Sequence, residues 1–536
     1  MLFSYLSHRR ACRDKQQERA ERIASLKPIY HEPLTSQDKE ILSRSVSSLV
    51  ASVQTSSLKA LQAHAQTNCL TEVMIASAEN WAKTANRSGP LAGVPVSLKD
   101  LVSVKGWDSS MGYSALVGKP MAADGALVRL LRDAGAVPYV KTNSTNDVFG
   151  STDNPHKKGY TSGGSSAGEA VLLALGAARL AIGTDVAGSV RAPAHFSGVY
   201  SIKSSMYRFL KQGSASSMPG QEGVPATHSP MTRTLEDLET FWRAVFQMKP
   251  WNYDYSVLRI PWRDVKLPED HPIRWGVLWD DGVVKPSPAC ARALKTVTAI
   301  LEKNGHEVVT LKCPSPYEGL QIASQLLLAD GGKTASKNHR VFESNDAGMT
   351  SAFRGFRLPY FVMKLYAWYY RYIRRDPIYA GLIDTHYEKT MPEFYALIAR
   401  REGLSFSLVE GRQGDEGVDF ILTVPNSLPA VPHGGMRHGW KACGYTFLFN
   451  LLDYSAGVMP ITHVDATADA LPRTFRPRNA IERNYYRMYD ASAMEGLPVG
   501  VQIVGRRLEE ERVLEGMKLI ERLMREAGTG YVGLPL

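Results

Sequence analysis

The segment that most restricts how this chain can fold is 161–191, TSGGSSAGEAVLLALGAARLAIGTDVAGSVR. Both ends are dense in Gly and Ser, and the middle, residues 169–180, is rich in the strong helix formers Ala and Leu. From Ile182 a short apolar run breaks into a second tight turn, Gly183-Thr184-Asp185-Val186-Ala187-Gly188-Ser189. Small residues let a backbone turn sharply and approach a ligand closely. Successive N–H groups in such a turn can converge on an anion or oxyanion. The segment therefore predicts two Gly/Ser turns joined by a helix and facing one pocket. Its nearly apolar run 171–190 does not read as a membrane span, because Arg179 and Asp185 interrupt it and Gly183 and Gly188 break it. A buried core helix leading into a turn is expected instead.

Several chemistries fit such turns. A phosphate cradle wants Gly-Lys-Ser/Thr after the first turn, and Ala167-Gly168-Glu169 does not supply it. The dinucleotide fingerprint is absent in usable form. The nucleophile elbow G-x-S-x-G matches literally as Gly164-Ser165-Ser166-Ala167-Gly168, which would make Ser166 the nucleophile, but residues 156–160 are no apolar strand leading in. A capped Gly/Ser loop is the plain alternative.

The spacing is more specific. GGSSAGEA is followed, 24 positions after Ser165, by Ser189 in GTDVAGSVR, and Lys99 in GVPVSLKD lies 66 positions before Ser165. These three elements resemble the amidase signature family. TNCLTEVM at 67–74, LLDYSAGVMPITHVD at 451–465 and GLPVGVQIVGRRLEEERVL at 496–514 resemble its fungal acetamidase and fatty-acid-amide-hydrolase branch, so that the likeness runs from about Leu26 to the C-terminus. The resemblance implies a large mixed β-sheet core covered by helices on both faces. It implies Ser189 as nucleophile, Ser165 as a bridging serine after a cis Gly164–Ser165 peptide bond, and Lys99 as the base. It also implies an oxyanion site from the N–H groups of Val186, Ala187, Gly188 and Ser189. The reaction implied is hydrolysis of a small-molecule carboxylic amide to acid plus ammonia or amine through an acyl-enzyme, with no metal or organic cofactor. Two positions depart from the family's usual pattern: Ala167 and Ala187 stand where Gly is common. Each residue also has a plain reading. Ser189 and Ser165 can be turn or cap serines, and Lys99 can be a surface lysine held charged by Asp100. An amidotransferase-type subunit passing ammonia to a partner, or a catalytically silent binding protein, are the alternative functions.

Elsewhere the chain reads as alternating strands and helices. Strands are expected at 91–101, 137–141, 274–279, 307–311, 419–425 and 500–505, with helices at 123–134, 287–304 and 509–527; Asn68 to Ala85 reads as a strand followed by a helix. This alternation argues for an α/β sheet with helices on its faces, its active site at strand ends. Residues 1–65 read as an N-terminal helical region packing on the body, with Thr35 and Asp38 as a capping pair. Residues 66–536 read as one amidase domain with a largely helical insertion at about 320–401. A chain of 536 residues can bury about 75% of its unfolded surface.

The net charge of +10 is spread along the chain without a basic stripe interleaved with aromatics, which argues against a nucleic-acid partner. Five distant cysteines, Cys12, Cys69, Cys290, Cys313 and Cys443, show no zinc or disulfide spacing. They fit a reducing compartment. With no signal-peptide core at the N-terminus, a cytoplasmic location is expected. His195, six residues after Ser189, reads as a packing or hydrogen-bonding residue rather than a chemical one. The aromatic segment 358–375, LPYFVMKLYAWYYRYIRR, reads either as a membrane-surface helix or as a cover over the pocket or a homodimer interface.

Overall fold

A computed structural model describes residues 2–43, 53–311, 315–344, 347–409, 417–439 and 441–536. Among them eleven strands join into one sheet: β1 (Leu70–Val73), β2 (Pro95–Lys99), β3 (Val137–Thr142), β4 (Leu180–Asp185), β5 (Tyr200–Lys203), β6 (Thr227–Thr232), β7 (Arg274–Val277), β8 (Glu307–Thr310), β9 (Phe420–Thr423), β10 (Ala456–His463) and β11 (Pro498–Val504). Their order across the sheet is β1-β3-β2-β4-β6-β5-β10-β11-β9-β7-β8. β2 runs parallel to β3 and β4, and β7 runs parallel to β8 and β9; the remaining neighbours are antiparallel. This is the mixed sheet the sequence predicts.

Side chains alternate across a strand, so a strand buried on both faces must feed two cores. Along β4, Leu180 and Ile182 pack into one apolar cluster with Val96 and Leu98 of β2, while Ala181 packs into another with Val137 and Tyr139 of β3. Every residue of β2 and β4 is buried. Sheet pairing then sets the site: Leu98 lies opposite Ile182 in the parallel β2–β4 pair, so both strands deliver their C-terminal ends to one edge. Lys99 ends one of them and Asp185 the other.

Seven helices matter below: α1 (Leu2–Ala24), α2 (Val53–Thr67), α3 (Ala167–Ala174), α4 (Arg191–Ser197), α5 (Tyr360–Trp368), α6 (Gly444–Leu451) and α7 (Glu510–Glu526). The expected helix at 169–180 is shorter than its composition suggests. Gly176 at φ +72° follows α3 and helps break it, and Leu180 already begins β4. The apolar run 171–190 is thus helix, turn and strand rather than one core helix. Placement between β2 and β6 outweighs the helix propensity of Ala and Leu. The other expected strands and helices are found within a few residues of their predicted ends. Ser287 caps its helix Pro288–Lys303 by accepting from the Cys290 N–H, and Gly528 at φ +70° follows α7.

The Thr35–Asp38 pair forms as predicted: the Thr35 N–H donates to Asp38 Oδ2 at 3.0 Å and the Asp38 N–H to Thr35 Oγ1 at 3.2 Å. The part of the N-terminal helical stretch at 44–52 lies outside the described residues, as does Cys313. α1 attaches to the sheet by charge. Lys15 is 2% exposed and forms ion pairs with Glu72 on β1 and with Asp108, the latter at 2.9 Å. Arg22 pairs with the same Glu72 and lies 4.5 Å from the centre of the Trp107 ring. Removing one member of a buried pair leaves the other uncompensated. Lys15→Ala is therefore expected to lower the stability of the fold by about 3 kcal/mol, read as the urea midpoint. A change below about 0.5 kcal/mol would put this attachment in the class of weak surface pairs.

Candidate active site

At the sheet edge the Lys99 side chain, 6% exposed, meets three hydroxyls. Its Nζ donates to Ser165 Oγ at 2.7 Å, Ser166 Oγ at 3.0 Å and Thr184 Oγ1 at 2.8 Å. Asp100, the neighbour that would have held it charged, is turned away. It accepts from the hydroxyls of Thr71 at 2.9 Å and Ser110 at 3.1 Å and from the Met111 N–H at 2.6 Å. Burial pulls the Lys99 ammonium down to about 8, against the opposing pull of the Glu169 and Asp185 carboxylates.

The two Gly/Ser turns are stitched together. The Ser166 N–H donates to the Ser189 carbonyl at 3.1 Å, and Ser166 Oγ accepts from the Thr184 N–H at 3.3 Å. A Cβ on Gly183 would stand 2.6 Å from Ser166 Oγ, so glycine is what lets the turns close on each other. Ser166 is fully buried, and residues 156–160 form no strand. Neither condition of a nucleophile elbow on Ser166 is met. Ser165 is exposed toward solvent, and the peptide bond before it, Gly164–Ser165, is cis.

Ser189 sits half-buried on the second turn, and its hydroxyl has no hydrogen-bond partner among the described residues. Asp185 shapes that turn. Its fully buried carboxylate accepts from the Gly188 N–H at 2.8 Å, the Val190 N–H at 3.2 Å, Arg191 Nε at 3.1 Å and Nη2 at 2.9 Å, and Asn450 Nδ2 at 2.8 Å. Burial opposes its charge, but Arg191 more than offsets that and holds the carboxyl well below the usual range. Of the four N–H groups expected at an oxyanion site, those of Val186, Ala187, Gly188 and Ser189, the one of Gly188 is committed to Asp185. The Thr446 hydroxyl of α6 donates to the Ala187 carbonyl at 2.8 Å and steadies the turn from the other side.

His195 is fully buried in α4. Its Nδ1 accepts from the Gly500 N–H at 2.9 Å and its Nε2 donates to the Leu428 carbonyl at 3.1 Å. Burial lowers it to about 4, so it is a neutral tie between α4 and β11, the packing role the sequence suggested. No group of three or more His, Cys, Asp or Glu residues is placed to hold a metal among the described residues.

The family model described as Amidase matches residues 51–514 of this chain. The chain belongs to the amidase family. It is an amidase-signature hydrolase that acts on amides. This amidase is 32% identical to Amidase 1 of Gibberella moniliformis, over 95% of its own length and 98% of that protein's. It is 31% identical to an acetamidase of Emericella nidulans over 83% of its own length and 79% of that protein's, and 32% identical to fatty-acid amide hydrolase 1 of Sus scrofa over 87% and 81%. A solved fatty acid amide hydrolase superposes with a TM-score of 0.80 at 26% identity, covering 97% of this chain and 95% of that one.

Sequence reasoning left three parts of the site unassigned. Thr184, five residues before Ser189, had a signal only in hindsight, as the polar end of an apolar strand. Asp185 and Arg191 flank the Ser189 turn six residues apart, a spacing that fits a turn closed by an ion pair. Asn450 and Thr446 come from α6, far away in sequence, and carry no local signal.

Gly188 adopts φ +113°, and a Cβ there would approach Thr446 Oγ1 to 2.5 Å. Gly188→Ala is expected to displace the Ser189 turn and lower kcat for amide hydrolysis about 100-fold while leaving the circular dichroism spectrum unchanged. Activity within twofold of wild type would mean that the turn tolerates the shift.

Proposed function

We propose that this amidase hydrolyses a small-molecule carboxylic amide through an acyl-enzyme on Ser189, with Ser165 and Lys99 as its proton path. The observation that carries the reading is the buried Lys99 side chain donating to Ser165 Oγ at 2.7 Å with no carboxylate oxygen within 4 Å among the described residues. A lysine in that setting gives up its proton more readily than one paired to an acid. In the deprotonated state Lys99 accepts the proton of Ser165 as Ser165 accepts that of Ser189, whose oxygen attacks the amide carbon. The N–H groups of Val186, Ala187 and Ser189 receive the developing oxyanion. The proton then returns through Ser165 to the leaving nitrogen, the amine departs, and water attacks the ester by the same path to release the acid. In this reading residues 66–536 form the amidase unit with 320–401 as a helical insertion, and residues 1–65 are a helical cover. The names of the relatives bracket the substrate panel from acetamide to long-chain fatty amides.

The test is a panel of amides run on wild type, Ser189→Ala and Lys99→Ala. Wild type is expected to release ammonia, and both variants to lose at least about 10³-fold in kcat/KM. Since the base works only without its proton, wild-type kcat/KM is expected to fall about tenfold per unit as pH drops below about 8 and to level off above it. A Ser189→Ala variant with full activity would overturn the nucleophile assignment. An active wild type that needs a second protein to hydrolyse any amide would favour the ammonia-passing subunit, and a chain that neither turns over amides nor labels with a fluorophosphonate would favour the binding protein.

A second reading concerns residues 358–375. No described helix is long and apolar enough to cross a membrane. Yet Phe361 is 72% exposed, Leu365 65% and Tyr372 60%, with Arg374 and Arg375 also exposed beside them. Beside this ridge opens a cavity of about 390 Å³ lined in part by Phe353, Phe356, Arg357 and Tyr360. Aromatic and basic side chains on one outward face suit an anionic lipid surface. The chain is expected to cosediment with phosphatidylserine vesicles, and Phe361→Ser with Leu365→Ser to reduce the bound fraction at least fivefold. Loss of a dimer instead of vesicle binding, seen as a halved solution mass, would assign the ridge to a homodimer interface.

A further inference from the structure

The site contains one buried acid that the reaction above does not use. Glu169 lies in the first turn of α3, three residues after Ser166, whose Oγ receives one of the Lys99 hydrogen bonds. Its side chain is wholly buried, and neither carboxylate oxygen has a hydrogen-bond partner at normal distance. The Thr142 hydroxyl, close enough to favour the carboxylate, donates instead to the Leu98 carbonyl at 3.2 Å. An unpartnered carboxyl in such surroundings costs free energy that an apolar side chain of the same size would not. Its presence therefore calls for a function.

Its neighbours suggest which one. The titratable groups around Glu169 and Lys99 are Asp100 after β2, Cys69 before β1, Asp185 at the end of β4 and His228 on β6. Asp100 is satisfied by two hydroxyls and an N–H, and lies 3.8 Å from the Lys141 ammonium. Asp185 is neutralised by Arg191. Burial pushes the Cys69 thiol up to about 12 and lowers His228 to about 4, so both are neutral in the working range. Glu169 is the fully buried acid near Lys99 that has no cation within ion-pair distance among the described residues. Burial and the Lys99 charge pull on it in opposite directions, and burial wins, holding it above the ordinary carboxyl range.

We propose that Glu169 is a positioning residue that acts on Lys99 through space and sets how strongly Lys99 holds the proton it takes from Ser165. The inference rests on Lys99 acting as the base. While Lys99 is charged, Glu169 serves as its counter-charge; once Lys99 is neutral, burial favours uptake of a proton by the Glu169 carboxylate in its sealed site. Without Glu169 the lysine would shed its proton at lower pH and be a weaker base at every pH.

The experiment measures kcat and kcat/KM against pH for wild type, Glu169→Gln and Glu169→Asp on one amide of the panel. The expected result for Glu169→Gln is an acid limb displaced downward by about one pH unit and a plateau kcat lowered about tenfold, with KM within twofold of wild type. Glu169→Asp, which keeps the charge, is expected to restore most of the limb position. A limb within about 0.2 units of wild type in a folded Glu169→Gln enzyme would overturn the proposal. Glu169→Met carries the same test if the Gln variant does not fold. It fills the sealed site with an apolar chain of similar length, and is expected to fold with a raised melting temperature while moving the limb in the same direction. The two readings fail differently. If Lys99 is not the base, wild type shows no limb near 8 and Lys99→Ala stays active; if only Glu169 is misassigned, wild type keeps its limb and the Glu169 variants share it.

Discussion

The Asp185 carboxylate accepts five hydrogen bonds from three directions, and the candidate site takes its shape from them. Two come from the Gly188 and Val190 N–H groups and bend the chain just after β4. Two come from the Arg191 guanidinium at the start of α4, and one from Asn450 on α6. Arg191 in turn donates to Gln502 of β11 at 2.7 Å. One ion pair thus ties the turn bearing Ser189 to the middle of the sheet and to a helix more than 250 residues away in sequence. A buried pair of this kind is weak evidence for net stability, since desolvation consumes much of the attraction. Its directional bonds instead fix a turn in one conformation, which is what preorganised N–H donors require.

Lys99 is built on the opposite principle. It comes from β2, next to β4, and it too is buried, yet it is given hydroxyl partners rather than a carboxylate. The same edge of the sheet therefore holds one charge that is locked and one that can move. Asp185 stays ionised because Arg191 is in contact with it; Lys99 can be neutral because its direct contacts all accept hydrogen bonds without carrying charge. The backbone bond from Ser166 to Ser189 couples these two regions, so that the hydroxyls around Lys99 and the turn bearing Ser189 cannot drift apart independently.

Much of this was legible in the sequence where the governing interaction is local. The Thr35–Asp38 pair and the Ser287 cap are decided within one helical turn, and strands such as β2, β3, β7 and β11 are short apolar runs bounded by turn residues. The pattern around Lys99, Ser165 and Ser189 led to the family because its three elements have a fixed order and spacing. What the sequence hid depends on distant segments. β4 carries no strand expectation, because its first residue falls in the helix that Ala and Leu favour and the run from Ile182 reads as leading into a turn; only its neighbours β2 and β6 make it a strand. The commitment of the Gly188 N–H to Asp185 was likewise invisible, because it depends on where a side chain three residues earlier points. Glu169 looked like an ordinary polar residue at a helix start; its isolation emerges only once α3 is packed against β2 and β3.

The departures from the common Gly-rich pattern fit the same account. A methyl group matters where the backbone needs positive φ or where a neighbour fills the space. Ala187 has no positive φ, and its carbonyl accepts from the Thr446 hydroxyl. Ala167 begins α3, where Ala is a better helix former than Gly by about 1 kcal/mol. Gly183 and Gly188 are positions where glycine is required. The first faces Ser166 Oγ at a distance that excludes a Cβ, and the second combines φ +113° with the Thr446 side chain. At Ala167 and Ala187, by contrast, the backbone does not adopt positive φ, so an L side chain fits there.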